Sequence, residues 1–500
     1  MDTFPGLQVF YAIRKINPWF TSGKVPSEQL QDFKRREFER LRATLNNTEM
    51  ATLVLGGRRV GKSVLMYQLI DSLLSSGIDK KNILFIQGDN PILQEIERQE
   101  GESILQHIFT LYQEIILEKE FGHVDNAIYI FIDEAQNIKN WETQVKSLID
   151  LKYNIKFIIT GSSSVELRRG AHNPLTGRAM VEMIQPFSFA DFAAYFIPEK
   201  DQEKFRGRVS TLSQIFAGAL GSGSLVRAQE ALVAANKIID QFRLKDKFND
   251  YLVFGGFPYV ISQKTNISLD EARRYLRDLM TTTISRDILA KVGIRETLAF
   301  ERLMVNFCLN IGSKIKYKSL ADRLGIDERS VSKYVDHYAE SHWAFVSSPY
   351  EYHRKADSVK TEKKIYVIDT GIINALAFKD RGDIVSGKDK SFRGQLVENV
   401  LHNHLLDSKQ SSTGAYQNYI PFWTDGSTQK EIDFIHEVNG SIVPIESKCK
   451  EKLDLDDLEP MEKFLKDHKT AKFGIITVDN GMSVEGNVLV VSYIALTLLF

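Results

Sequence analysis

The stretch from Thr52 to Leu65, TLVLGGRRVGKSVL, constrains this chain more than any other. It opens as a short apolar run, breaks at Gly56-Gly57, and resumes as a helix-like pattern from Lys62. Gly56, four residues, then Gly61, Lys62 and Ser63 make a full phosphate-binding loop between a strand and a helix. Each residue type has a reason. Glycines let backbone amides curl around a polyphosphate with no side chain in the way. Lys62 is placed to neutralise the β and γ phosphates, and Ser63 offers a hydroxyl to Mg²⁺. The helix that starts here points its positive end at the anion. The expected cradle is Gly56, Gly57, Arg58, Arg59, Val60, Gly61, Lys62, Ser63 and Val64.

Composition narrows the class further. A chain of 500 residues has room for about two to four domains. With 43% hydrophobic and 26% charged residues it reads as an ordinary globular protein. A net charge of −1 advertises no global basic field, so any nucleic-acid surface must be a local patch. Cys308 and Cys449 form no disulfide framework, and no Cys/His cluster has zinc spacing. Both read as buried thiols in a reducing compartment. No apolar run reaches the ~18 residues of a membrane span, and the first residues do not read as a secretory signal. A cytoplasmic protein without a membrane partner is expected.

Ahead of the loop, Ser27-Glu28 marks an expected helix start, followed by a basic amphipathic pattern with Lys34, Arg35, Arg36, Arg40 and Arg42. That face either touches nucleic acid or nucleotide, or leans on the core as a solvated surface. Beyond the loop, Asn82–Gln87 reads as a strand and 103–121 as a long apolar-periodic helix. Ile128–Gln136, IYIFIDEAQ, is a continuous apolar strand ending in Asp133-Glu134, as a parallel sheet buried on both faces requires. Acidic residues at the C-terminal tip of such a strand stand where doubly wound sheets place their chemistry. Asp133 is expected to hold Mg²⁺ and Glu134 to polarise the attacking water. The next strand, Lys156–Thr160, is followed by Gly161 and three serines. Thr160 or Ser162 is the candidate γ-phosphate sensor. Arg168, Arg169 and Arg178 follow closely. Of the three, Arg178 is the favoured arginine for a neighbouring subunit's γ phosphate.

The stretches GGRRVGKS, IFIDEAQN, FIITGSSS, LTGRA and GGFP (Gly255 to Pro258) resemble the archaeal-type AAA+ ATPase family of bacteria and archaea. The resemblance covers the chain from about residue 30. It implies an α/β fold with strand order 5-1-4-3-2, a helical lid, ATP and Mg²⁺ as cofactors, and a C-terminal domain of unknown function. It also implies that GGFP lies in the lid near the nucleotide, with Arg286 as a candidate lid arginine.

Residues 186–300 read as mostly helical, with a polar stretch at 199–211. Residues 301–380 change character: Leu320, Ala321, Leu324, Ile326, Val331 and Val335 match a helix-turn-helix. Trp343–Val346 and Lys364–Ile368 read as a wing strand pair. Arg329, Ser330, Ser332 and Lys333 fall on or beside the exposed face of the second helix, which points to DNA contact or to a winged helix used for packing alone.

A segment at 381–394 reads as a linker. After it, Glu398 lies early in a helix, and Asp433 precedes the hairpin signal Val438-Asn439-Gly440. On the following strand, alternation puts Glu446 and Lys448 on one side. Three carboxylates and a lysine are expected to converge, with Glu398, Asp433 and Glu446 as metal ligands and Lys448 as the catalytic lysine. The set is similar to that of restriction-endonuclease-like nucleases, an Asp followed a strand later by Glu-x-Lys. This chain departs from their Pro-Asp, having Glu431-Ile432-Asp433 there.

The expected architecture is therefore an N-terminal helical segment (1–48), a P-loop AAA+ core (49–190), a helical lid (191–300), a winged helix (301–380) and a C-terminal α/β nuclease-like domain (390–500). The leading functional expectation is a Mg-dependent, homo-oligomeric ATPase acting on DNA, which the C-terminal domain either cuts or grips. The alternative is an ATP-dependent oligomerising switch or scaffold that binds DNA or a protein without cutting. A transcription regulator using the helix-turn-helix alone ranks last, because it leaves both carboxylate sets unexplained.

Overall fold

A computed structural model describes the chain except residues 1–4, 47–48, 102, 162–174, 264–265, 285–295, 351–361, 386–387, 414–418, 427 and 429, and the side chains of 5, 100 and 410–413. It divides into two compact units, Met1–Gln185 and Pro186–Phe500.

The first unit is built on five parallel strands: β1 (Ala51–Leu55), β2 (Ile83–Gln87), β3 (Ile128–Asp133), β4 (Ile155–Gly161) and β5 (Ala179–Met183). Their order is β2-β3-β4-β1-β5, the order 5-1-4-3-2 that the resemblance implied. β1 and β4 are buried along their whole length, as strands covered on both faces must be. The edge of β2 is closed by a side chain. Asn17 Nδ2 donates to the Phe85 carbonyl at 2.8 Å, and its Oδ1 accepts from Phe85 N at 2.7 Å. One amide thus mimics a strand neighbour and blocks an exposed edge.

Two expectations are corrected here. Residues 27–42 are not one helix: a single 3₁₀ turn, Ser27–Gln29, precedes the helix Glu37–Thr44. The carbonyls of Gln31 and Phe33 accept from Gln68 Nε2 at 2.6 and 3.1 Å, which ties this segment to the core in a non-helical form. The helix expected over 103–121 runs Ile104–Leu111, widens into a π turn over Tyr112–Leu117, and stops at Glu118 in the left-handed region.

In the second unit, residues 189–283 are mostly helical, including one 24-residue helix, Glu199–Ser222, that runs straight through the polar stretch. A helix pair follows, Tyr317–Leu324 and Glu328–Glu340, joined through Gly325 in the left-handed region and capped by Asp327, which accepts from Ser330 N at 2.9 Å. Beside it lies an antiparallel sheet, β6 (Lys314–Ile315), β7 (Ala344–Ser347) and β8 (Lys363–Val367), in the order β6-β8-β7. The expected linker at 381–394 is folded where described: Arg381–Val385 is helical and Lys390 begins the helix Lys390–Thr413. Arg381 pairs with Asp250 at 2.7 Å and Asp389 with Lys379 at 2.8 Å, so two charges of this segment are held in ion pairs.

Two short strands come next, β9 (Trp423–Thr424) and β10 (Glu431–Ile432). The C-terminal sheet comprises β11 (Phe434–Val438), β12 (Ser441–Ser447), β13 (Gly474–Val478), β14 (Met482–Glu485) and β15 (Val488–Ser492). Its order is β11-β12-β13-β15-β14, with antiparallel pairs at both edges and parallel pairs inside. The β11–β12 hairpin turns on Asn439 and Gly440, both at positive φ, as Asn-Gly favours. Cys308 is buried as expected, whereas Cys449 is only partly buried.

The segments expected as lid, winged helix and nuclease-like domain all belong to this one unit. Buried polar bonds join them. Asn374 Nδ2 donates to the carbonyls of Leu252 and Val253, Thr370 Oγ1 donates to that of Tyr251, and Phe189 N, just ahead of the expected lid, donates to His404 Nε2 at 2.9 Å. The first three satisfy carbonyls at the end of the helix Leu244–Phe254, where helix geometry leaves the last carbonyls short of partners. The GGFP turn joins the same contact: Gly256 N donates to Asp369 Oδ2 at 2.6 Å.

Candidate functional site

The loop between β1 and the helix Lys62–Ser75 is tightly curled. A Cβ at Gly56 would stand 2.1 Å from the Ile184 carbonyl oxygen, so only glycine passes there. Arg59 and Gly61 both have positive φ, 59° and 99°. Lys62 is 5% exposed and donates to the carbonyls of Gly56 and Gly57, both at 2.9 Å. Its ammonium is thereby held inside the curl of the loop.

The acidic strand meets this loop. Ser63 Oγ donates to Asp133 Oδ2 at 2.7 Å, and Thr160 Oγ1 donates to Asp133 Oδ1. Parallel pairing of β3 with β4, and of β4 with β1, brings the three tips to one edge. Burial raises the Asp133 carboxyl above its ordinary value, against the two hydroxyls and Lys62, which favour the charged form. Thr160 also accepts from Glu134 N at 3.1 Å, so one hydroxyl fixes both acidic residues. Glu134 has φ 49° and ψ 47°, a left-handed conformation that ends the strand abruptly. Its carboxylate accepts from Gln136 Nε2. Gly88, at the tip of β2, donates to the Asp133 carbonyl at 2.8 Å, and a Cβ there would stand 2.5 Å from the Glu134 carbonyl oxygen.

Lys62, Ser63, Asp133, Glu134 and Thr160 are thus gathered at one sheet edge. Ser162, the alternative to Thr160 as sensor, lies outside the described residues, as do Arg168, Arg169 and Arg286.

Arg178, expected to act on a neighbouring subunit's γ phosphate, stands apart from its own chain's cluster. Its carbonyl accepts from Ala51 N at 2.8 Å, which puts it at the start of β1. The phosphate loop lies at the other end of that strand, roughly 13 Å away at ~3.3 Å per residue. Its guanidinium pairs instead with Asp150 at 2.6 Å.

Arg35 belongs to the site, although only its charge was evident from the sequence. It is buried, donates to the Val60 carbonyl and to that of Gln185, both at 2.8 Å, and pairs with Glu37 at 2.6 Å. Burial opposes the Glu37 charge, but Arg35, Arg36 and Arg40 outweigh it and hold the carboxyl at about 2. A basic residue just ahead of a P-loop strand was the available signal. Its burial was not.

A second cluster forms in the second unit. Asp433 accepts from Ser447 N at 2.9 Å, and Glu446 accepts from Asp433 N at 3.1 Å. Lys448 pairs with Glu446 at 2.6 Å. Glu398 accepts from Tyr366 OH at 2.8 Å. Burial, with the Asp433 charge beside it, pushes Glu398 up to about 7 and Glu446 up to about 8. Lys364 from β8 is 1% exposed, and its ammonium lies 2.8 Å from Asp433, 3.0 Å from Glu431 and 3.3 Å from Glu398. Among the described residues, no group of three His, Cys, Asp or Glu side chains is arranged to hold a metal ion. Glu398, Asp433 and Glu446, expected as metal ligands, therefore do not form such a group: carboxylates converge here, but on an ammonium. Lys363 and Lys364 at the head of a buried strand were the overlooked signal.

Comparisons with known proteins agree with the fold of the first unit. Residues 48–193 match the family described as "AAA domain". Residues 245–382 and 393–496 match two families described as domains of unknown function, DUF8612 and DUF4143. An uncharacterized protein of Haemophilus influenzae is 24% identical over 366 residues, 72% of this chain and 75% of that protein. The uncharacterized protein MJ1544 of Methanocaldococcus jannaschii is 23% identical over 445 residues, 86% and 84% of the two chains. The Aeropyrum pernix ORC1 protein, solved in complex with DNA, aligns over 72% of this chain and 96% of its own with 11% identity and a TM-score of 0.28. Among the described residues no helix is long and apolar enough to cross a membrane. The match over residues 48–193 and the five-stranded parallel sheet of the first unit support an AAA+ ATPase domain there.

Proposed function

We propose that this chain hydrolyses ATP at the edge formed by β1, β3 and β4 and couples that cycle to DNA held by the helix pair of the second unit, without cutting it. The observation that carries the ATPase reading is the meeting of Lys62, Ser63, Asp133, Glu134 and Thr160 at one sheet edge. A triphosphate in the cradle would take the Lys62 ammonium from the Gly56 and Gly57 carbonyls. Ser63 and Asp133 would hold Mg²⁺, which supplies charge neutralisation at the β and γ phosphates. Thr160 keeps Asp133 oriented while it does so. Glu134 accepts a proton from, or orients, the attacking water, and Gln136 steers its carboxylate.

The DNA part rests on the helix pair and its sheet, which follow the order of a winged helix. Arg329 and Lys333 are exposed on the second helix, while Val331, Tyr334, Val335 and Tyr338 are buried. Exposed cations on such a helix suit phosphate contacts. Lys364 among the acidic residues supports binding without cleavage.

Purified full chain with Mg²⁺ and ATP, with and without duplex DNA, tests the proposal. Turnover that DNA alters, and duplex binding weakened by Arg329→Ala with Lys333→Ala, are expected. Turnover indifferent to every DNA, with nucleotide-dependent oligomerisation, would favour the switch or scaffold reading instead.

A further inference from the structure

We infer that Lys364 is the resident cation of the C-terminal carboxylate cluster, and that the cluster is an ionic clasp between the β6-β8-β7 sheet and the C-terminal segment rather than a divalent-metal site. The ammonium donates hydrogen bonds to Asp433 at 2.8 Å and Glu398 at 3.3 Å, and forms an ion pair with Glu431 at 3.0 Å, so three carboxylates surround it. They come from three places in the chain: the residue between β10 and β11, β10 itself, and the helix Lys390–Thr413. Lys364 comes from β8, so its one bond set ties the sheet beside the helix pair to the C-terminal segment.

The other oxygens of Asp433 and Glu431, and both of Glu446, are engaged by the protein as well. The second oxygen of Asp433 accepts from Ser447 N, and Glu446 is taken by Asp433 N and Lys448. Lys314 from β6 pairs with Glu431 at 2.8 Å, a second tie across the same boundary. Tyr366, also from β8, donates to Glu398 and stacks on His402, ring centroids 4.0 Å apart. Mg²⁺ needs oxygens at about 2.1 Å in a near-octahedral shell. A buried ammonium at the centre of the cluster excludes that shell. Burial alone would lower the Lys364 ammonium, but Asp433 and Glu398 outweigh it and keep it charged. The inference stands whether or not the first unit hydrolyses ATP.

The test uses the nucleotide-free full chain carrying Ser63→Ala, which removes a ligand of the other expected metal site. Mn²⁺ binding is followed by electron paramagnetic resonance, with and without Asp433→Asn. No Mn²⁺ site that depends on Asp433 is expected. A site with submillimolar affinity, lost in Asp433→Asn but kept in Arg178→Ala, would overturn the inference. Thermal unfolding supplies a second reading. Lys364→Met should lower the midpoint of the second unit, or prevent its folding, while Mn²⁺ leaves the midpoint of the Lys364-containing chain unmoved. An unchanged midpoint in Lys364→Met would also overturn it.

Discussion

Ser63 and Asp133, 70 residues apart in the chain, are joined by a 2.7 Å hydrogen bond at the edge of a parallel sheet. The hydroxyl opens a helix and the carboxylate closes a strand. Their contact requires β1, β4 and β3 to lie side by side in that order.

Lys62→Ala should abolish ATP binding while leaving the fold intact, because the ammonium's hydrogen bonds run to two loop carbonyls. Calorimetric titration with ATP checks this. Retained affinity would remove Lys62 from the site.

Thr160→Val removes the hydroxyl that bonds both Asp133 and Glu134 N. Loss of a bond to a charged group costs about 1.5–3 kcal/mol. A fall in ATP turnover of about tenfold or more is expected, read from steady-state phosphate release.

Arg35→Ala should destabilise the first unit by about 3–5 kcal/mol, since it leaves the Glu37 carboxylate buried with its closest partner gone. The pH sign follows from Glu37. Its folded value, about 2, lies below the ordinary glutamate value. Its stabilisation is therefore present at neutral pH and lost as pH falls from about 4.5 towards 2. Chemical denaturation at pH 7 and pH 3 should show Arg35→Ala losing much of that difference.

Asp369 behaves in the opposite sense. Burial raises it to about 6, despite backbone bonds from Gly256, Ile372 and Gly371. Its contribution is full below about 4 and lost as pH rises through 6, on the order of 3 kcal/mol. Asp369→Asn should flatten that part of the profile for the second unit, as measured by denaturation between about pH 4.5 and 7.5.

Much of the first site was legible. A phosphate loop and an acidic strand tip are local patterns, and a parallel sheet leaves few ways to join them. The GGRRVGKS and IFIDEAQ stretches therefore located Lys62, Ser63, Asp133 and Glu134. The place of Arg178 was not legible, because nearness in sequence to the sensor strand says nothing about which end of the sheet a residue reaches. The helix through residues 199–222 was hidden by its polar first half, but a helix needs only one apolar face. Two lysines at the head of an apolar strand marked Lys364, but its partners were not legible. Alternation showed that Glu446 and Lys448 share a side, but no local pattern says that a lysine from a strand some 70 residues earlier enters the same cluster.

ATP hydrolysis at the Asp133-Glu134 edge is the central functional claim. Glu134→Gln separates binding from chemistry most directly, because it keeps shape and removes the charge. Radiolabelled ATP retention and phosphate release should be measured on the same preparation. ATP should bind as in the unsubstituted chain, with release slowed by about 100-fold or more. Unchanged release in Glu134→Gln would contradict the claim.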